Sequence, residues 1–130
     1  LLVILFLSLN IPRYYFFFQT PNHQIQHAKT VAEELGKHVG NKPYNIATWP
    51  VGAGEDMYTY FLEVENRGPA DRKQLEITDQ MFVLCSQEPC SVTDSPSWNI
   101  SMFGPARIVN EWEVENITIF KLEHLPSDSL

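Results

Sequence analysis

Cys85 and Cys90 are the only cysteines in the chain, with Ser86-Gln87-Glu88-Pro89 between them. Four intervening residues are too many for a redox Cys-x-x-Cys, and a zinc site needs about four ligands where no second cysteine pair exists. Two states remain open: a disulfide tying a strand end to the turn after it, which needs an oxidising compartment, or two free thiols. His23 and His27 fall one helical turn apart, a spacing that can ligate a metal. The intervening Gln24-Ile25-Gln26 lacks the glutamate of a His-Glu-x-x-His site, so solvated histidines are expected and no metal. Glu111, Glu113 and Glu115 recur at period two and would share one face of a strand. A solvated outer face accounts for them more simply than a bound cation.

No Gly-x-Ser-x-Gly occurs, and no Ser, His and Asp set stands apart from chance, so no catalytic residue is assigned. Pro50-Val51-Gly52-Ala53-Gly54 carries two glycines but lacks the rest of a phosphate cradle and its lysine, and reads as a plain loop. No cofactor-binding motif is present. Asn99-Ile100-Ser101 and Asn116-Ile117-Thr118 match the glycosylation sequon, which matters only in a eukaryotic source. Trp49, Tyr58 and Tyr60 are candidate sugar-stacking residues, although burial is the commoner use of aromatics.

These residues need a scaffold. Thr20-Pro21 suits a helix start, and Ile25, Ala28, Val31, Ala32, Leu35 and Val39 follow helical spacing up to Gly40-Asn41. A helix over residues 21–39 follows, with Lys29 and Glu33 paired on its solvent side and Gly36 weakening it slightly. Residues 44–49 form a short strand. Residues 55–65 fit helix or strand, and the acidic Glu55-Asp56 start favours a helix, broken by Asn66-Arg67-Gly68-Pro69. The apolar run 81–85 fits a strand buried on both faces. Ser97 is placed to cap a short helix through Phe103. Residues 108–114 alternate as a half-buried strand, with Ile108, Asn110, Trp112 and Val114 on one side. Glu115-Asn116 turns the chain, and 117–122 returns as a second strand. The expected fold class is α/β: a small mixed sheet of about four strands, helices packed on it, and a C-terminal β-hairpin.

Residues 1–9 read LLVILFLSL, and an aromatic run, Tyr14-Tyr15-Phe16-Phe17-Phe18, follows Arg13. A secretory signal would bring a basic leader, and a core helix would show a polar face. The expected reading is the end of a transmembrane helix with an aromatic interface over 1–18. An extracytoplasmic α/β domain over 19–125 and a flexible tail over 126–130 follow it. The first eleven residues span about half of a hydrocarbon core at ~1.5 Å per residue.

The words Tyr44-Asn45-Ile46-Ala47, Tyr60-Phe61-Leu62-Glu63, Asp79-Gln80-Met81-Phe82-Val83-Leu84-Cys85, Trp98-Asn99-Ile100-Ser101-Met102-Phe103-Gly104 and Phe120-Lys121-Leu122 sit in this order behind the apolar start. Together they resemble the C-terminal extracytoplasmic domain of bacterial multi-span glycosyltransferases. These are of the GT-C class, related to mannosyltransferases that use polyprenyl- or dolichyl-phosphate sugars. The resemblance covers nearly the whole chain, but in core and turn words rather than catalytic motifs. It implies an accessory domain of a hexosyltransferase whose catalytic acid lies in an early extracytoplasmic loop, outside these residues. It also implies a polyprenyl-phosphate-linked sugar as donor to the parent enzyme. The implied partners are the bilayer through residues 1–18, the membrane domain of the same chain and a glycan acceptor. The implied location is the cell membrane, with the domain on the extracytoplasmic side. A single-pass anchored binding module without activity is the alternative.

Composition narrows the classes. The 130 residues carry a formal net charge of -7 with only 9 Lys and Arg, and no basic stripe, which argues against a phosphate-backbone partner and so against nucleic acid. With 44% hydrophobic residues the chain can build a core.

Overall fold

A computed structural model describes residues 1–14, 20–50, 54–71 and 75–126. In chain order it holds α1 (Leu2–Asn10), a 3-10 turn (Ile11–Arg13), α2 (Gln24–Val39), β1 (Asn45–Trp49), α3 (Asp56–Val64), β2 (Gln80–Cys85), α4 (Trp98–Ser101), β3 (Ala106–Val114) and β4 (Ile117–His124). The strands form one sheet in the order β1-β2-β4-β3. β1 runs parallel to β2, and the other pairings are antiparallel. The fold is thus mixed α/β with a four-stranded sheet ending in a hairpin.

β2 explains the layering. All six of its residues are buried, so its two faces serve two cores. Phe82 and Leu84 join Ile46, Ile119, and the inner faces of α2 and α3. Met81, Val83 and Cys85 face Ala47, Phe120, Leu122, Val92, Ile100 and Phe103. One layer is therefore a helix pair, and the other is the irregular segment around α4. α3 makes the crossover that a parallel β1–β2 pair requires. Gln24, Ile25 and Ala28 lie beside Met57, Tyr60 and Phe61, while Gly36 lies under Arg67. The two helices therefore run side by side in the same sense.

Buried polar side chains fasten the strand ends. Asn45 Oδ1 accepts the Thr78 backbone N–H at 2.9 Å and the Thr78 hydroxyl at 3.0 Å, and its Nδ2 donates to the Glu76 carbonyl at 2.7 Å. Gln80 Nε2 donates to the carbonyls of Val39 and Lys42, both at 3.2 Å. It thereby caps the C-terminus of α2, whose last carbonyls have no partner inside the helix. The Tyr44 hydroxyl donates to the Arg67 carbonyl at 2.6 Å, and Arg67 Nη1 donates to the Gly36 carbonyl at 2.9 Å. A Cβ at Gly36 would meet Nη1 at 3.2 Å, a tight contact.

Several sequence expectations need correction. α2 starts at Gln24, not at Pro21. His23 takes a left-handed φ of 51° and Thr20 caps nothing, while Asn22 Oδ1 accepts the Gln24 N–H at 3.4 Å. A local side-chain bond holds the entry in a turn. Ile25 leaves the buried stripe and stands 77% exposed. α4 ends at Ser101, and Ser97 makes no side-chain cap. In β3 a bulge between Ile108 and Asn110 reverses the alternation. Trp112 and Val114 reach the helix-side core, whereas Ile108 stays exposed at the sheet edge. Glu115 and Asn116 both have positive φ, 51° and 63°, the geometry of a two-residue hairpin turn.

Residues 1–9 are all exposed, and α1 buries no residue. α1 ends at Asn10, and Pro12 lies in the 3-10 turn that follows. Among the described residues no helix is long and apolar enough to cross a membrane. Residues 15–18 of the expected aromatic interface, most of the 50–54 loop and nearly all of the 126–130 tail lie outside the described residues.

Candidate functional site

In parallel α/β sheets the carboxyl ends of the strands are where ligands usually sit. Here that end is marked by the register pair Trp49 and Cys85. Cys85 and Cys90 are joined in a disulfide, Cα atoms 6.1 Å apart, the first of the two states their spacing allows. The loop it closes is stitched to β1. The Ser86 N–H and hydroxyl both donate to the Trp49 carbonyl, at 2.9 and 3.2 Å, and the Trp49 indole N–H donates to the Pro89 carbonyl at 3.0 Å. Among the described residues, Cys85, Glu88 and Cys90 are the one group of three potential ligands whose donor atoms converge. Their two sulfurs are bonded to each other and are not thiolates, so this is a structural staple and no metal centre.

On the other side of β1 a groove of about 440 Å³ runs along α3, lined by Ile46, Glu55, Asp56, Thr59, Glu63, Pro69, Ala70 and Asp71. Glu55 is buried at its end, with the Thr48 hydroxyl 3.5 Å from Oε2. Four carboxylates line it over an apolar floor. They do not close on one point, because no three of their oxygens come together. A Ser, Thr or Cys nucleophile needs a base within hydrogen-bond reach. Three of the four histidines bond elsewhere, His27 Nδ1 to Glu115 at 3.4 Å, His38 Nε2 to Glu34 at 3.3 Å, and His124 Nε2 to the Thr78 carbonyl at 3.0 Å, and His23 lies in the turn before α2.

No family model matches this chain. No curated protein and no solved structure matches it either.

The residues singled out from the sequence do not share a site. Tyr58 is only 6% exposed, inside the helix-side core, and burial pushes its phenol above the usual range. It is not available to stack on a sugar. Tyr60, one position past the next, points out from α3 at 61% exposure with its ring edge-on to Phe61. Trp49 lies across the sheet, against the disulfide side. The three therefore form no common platform. His23 sits in the turn before α2 and His27 leans to the hairpin tip, so the pair does not converge with a third ligand. Glu111 and Glu113 pair across from Phe120 and Thr118. Glu115 belongs to the turn and meets His27, so the three glutamates do not gather. Of the sequon asparagines, Asn99 is half-buried in α4, and Asn116 is exposed at the hairpin turn.

Sequence reasoning missed an exposed apolar face made by Ile25, Met57, Tyr60 and Val64. Its signal was present in α3. Met57, Tyr58, Tyr60, Phe61, Leu62 and Val64 are more apolar side chains than one buried face of a nine-residue helix accommodates.

Proposed function

We propose that this chain is a membrane-anchored accessory domain of an integral-membrane glycosyltransferase. In this reading it transfers no sugar itself, and the residues that move sugar from a polyprenyl-phosphate carrier to an envelope acceptor lie elsewhere in the same protein. The observation that carries the anchoring is α1. Apart from Ser8 and Asn10 it is apolar, and its residues are exposed through Leu9, a pattern that water penalises and lipid does not. Its polar side chains also bond its own backbone: the Ser8 hydroxyl donates to the Leu5 carbonyl at 2.9 Å and Asn10 Nδ2 to the Phe6 carbonyl at 2.8 Å. Internal satisfaction of polar groups is what an apolar medium demands. α1 with its 3-10 turn covers part of a bilayer core. The Cys85–Cys90 disulfide supports an extracytoplasmic position. The glycosyltransferase assignment rests on the resemblance of the sequence words given above. The acidic groove favours one second reading, a single-pass anchored module that binds a cationic envelope ligand.

The test uses the full-length protein in membranes. After an alkaline carbonate wash the protein is expected in the pellet, and a cysteine introduced at Leu5 is expected to resist a water-soluble thiol reagent that reaches one introduced at Glu111. Wild-type protein released by carbonate overturns the anchoring. Transfer of labelled hexose from a polyprenyl-phosphate donor to a membrane acceptor is expected. Absence of transfer together with binding of basic glycans or peptides selects the second reading.

A further inference from the structure

We infer that the face formed by Ile25, Met57, Tyr60 and Val64 rests on the lipid headgroup region of the bilayer that holds α1. This deepens the anchored reading and depends on it. Ile25 is 77%, Val64 64%, Tyr60 61% and Met57 42% exposed. Gln24, Ile25, Ala28, Met57, Tyr60 and Phe61 line a shallow groove at the start of the two helices. None of these six side chains carries a charge, in a chain whose net charge is -7.

Three observations name lipid as the occupant. The first is continuity: α2, which carries Ile25 in its opening turn, is the next α-helix in the chain after α1, with the 3-10 turn and residues 14–23 between them. The second is a polarity gradient along α2. The exposed Gln24, Ile25 and Gln26 of its first turn are uncharged, His27 then turns to Glu115 at the hairpin tip, and the later exposed face carries Lys29, Glu33, Glu34 and Lys37. The end nearer α1 in the chain is the apolar one. The third is size. Four side chains on two short turns fall well below the ~800 Å² per partner of a stable protein interface. A shallow apolar contact with an aromatic ring bearing a hydroxyl, as Tyr60 does, suits the interfacial zone.

The test uses the whole chain in phosphatidylcholine vesicles. Because both native cysteines are in the disulfide, a single introduced thiol takes an environment-sensitive fluorophore alone. Tyr60→Cys, Leu5→Cys in α1 and Glu111→Cys on the far strand are labelled separately and exposed to nitroxide-bearing lipids. Quenching and a blue shift are expected at positions 60 and 5 and not at 111. The signal at 60 should be unchanged when protein is diluted in the vesicles. Ile25→Asp, at an exposed site, should reduce the quenching at 60 by about half or more, with quenching at 5 intact. Quenching at 5 with position 60 behaving like 111 refutes this inference and leaves the anchored reading standing. No quenching at 5 refutes the anchored reading itself. A signal at 60 that falls on dilution, or one that Ile25→Asp leaves unchanged, assigns the face to a protein partner and likewise refutes the lipid contact.

Discussion

Gln80 offers a test of how the helix layer is held to the sheet. Its amide is 3% exposed and faces the carbonyls of Val39 and Lys42 at 3.2 Å and that of Pro43 at 3.4 Å. An amide has two protons, so two of these bonds are strong at once. Gln80→Glu keeps the shape and replaces the donor by an acceptor. Two lost bonds amount to about 2 kcal/mol. A carboxylate against carbonyls at the negative end of α2 adds about 1 kcal/mol more, for roughly 3 kcal/mol at neutral pH. At ~4 °C per kcal/mol for a domain of this size, the melting temperature should fall by about 12 °C. The sign with pH follows from the introduced carboxyl. Burial and the carbonyls disfavour its charged form, so its folded pKa lies above the ~4.3 of an unfolded glutamate. Once protonated, it donates to one carbonyl again. The variant's deficit against wild type is therefore smallest in acid and grows as pH rises through the folded pKa. Gln80→Met, which removes donor and charge together, should lose about 2 kcal/mol with no such pH dependence. Urea unfolding of all three proteins at pH 5 and 7.5 reads both effects. A Gln80→Glu deficit under about 0.5 kcal/mol at pH 7.5, or one that does not change with pH, would refute the capping role.

Two further outcomes are expected. Replacing both Cys85 and Cys90 by Ala should lower stability by about 2 kcal/mol, the loop-closure value for so short a ring. Urea midpoints measure this, and alkylation of the wild-type protein under denaturing, non-reducing conditions should find no thiol. Tyr44 is buried, its phenol pushed above the usual tyrosine range first by desolvation and then by nearby Glu63. A raised folded pKa means stability that is complete below the unfolded value of ~10 and lost as pH rises through the folded one. Tyr44→Phe should therefore be weaker by about 1 kcal/mol at pH 7, from the lost bond to Arg67. It should also lose less stability than wild type between pH 9 and 11, in the same denaturant assay.

The sequence by itself determined the elements whose signal is local. The apolar run of β2 is long enough and unbroken enough to be a strand buried on both faces. Glu115-Asn116 between two alternating runs is a hairpin. The spacing of Ala28, Val31, Ala32, Leu35 and Val39 makes one face of a helix. Each depends on neighbours within a few residues, which is where periodicity carries information. The cysteine spacing left the disulfide and the free thiols open. Only the tertiary structure brought the end of β2 and its turn into bonding geometry. It also decided the sheet order, with β4 between β2 and β3. Ile25, five positions into what reads as one helix, lies at a flank with nothing above it. Tyr58 and Tyr60, two residues apart, are separated into core and surface because a helix turns about 200° over that interval. Asn45 and Gln80 look like ordinary polar residues in the chain, and become the fasteners of strand and helix ends only when Thr78 and the α2 carbonyls are brought beside them. Burial and convergence are properties of residues distant in sequence, and no local pattern encodes them.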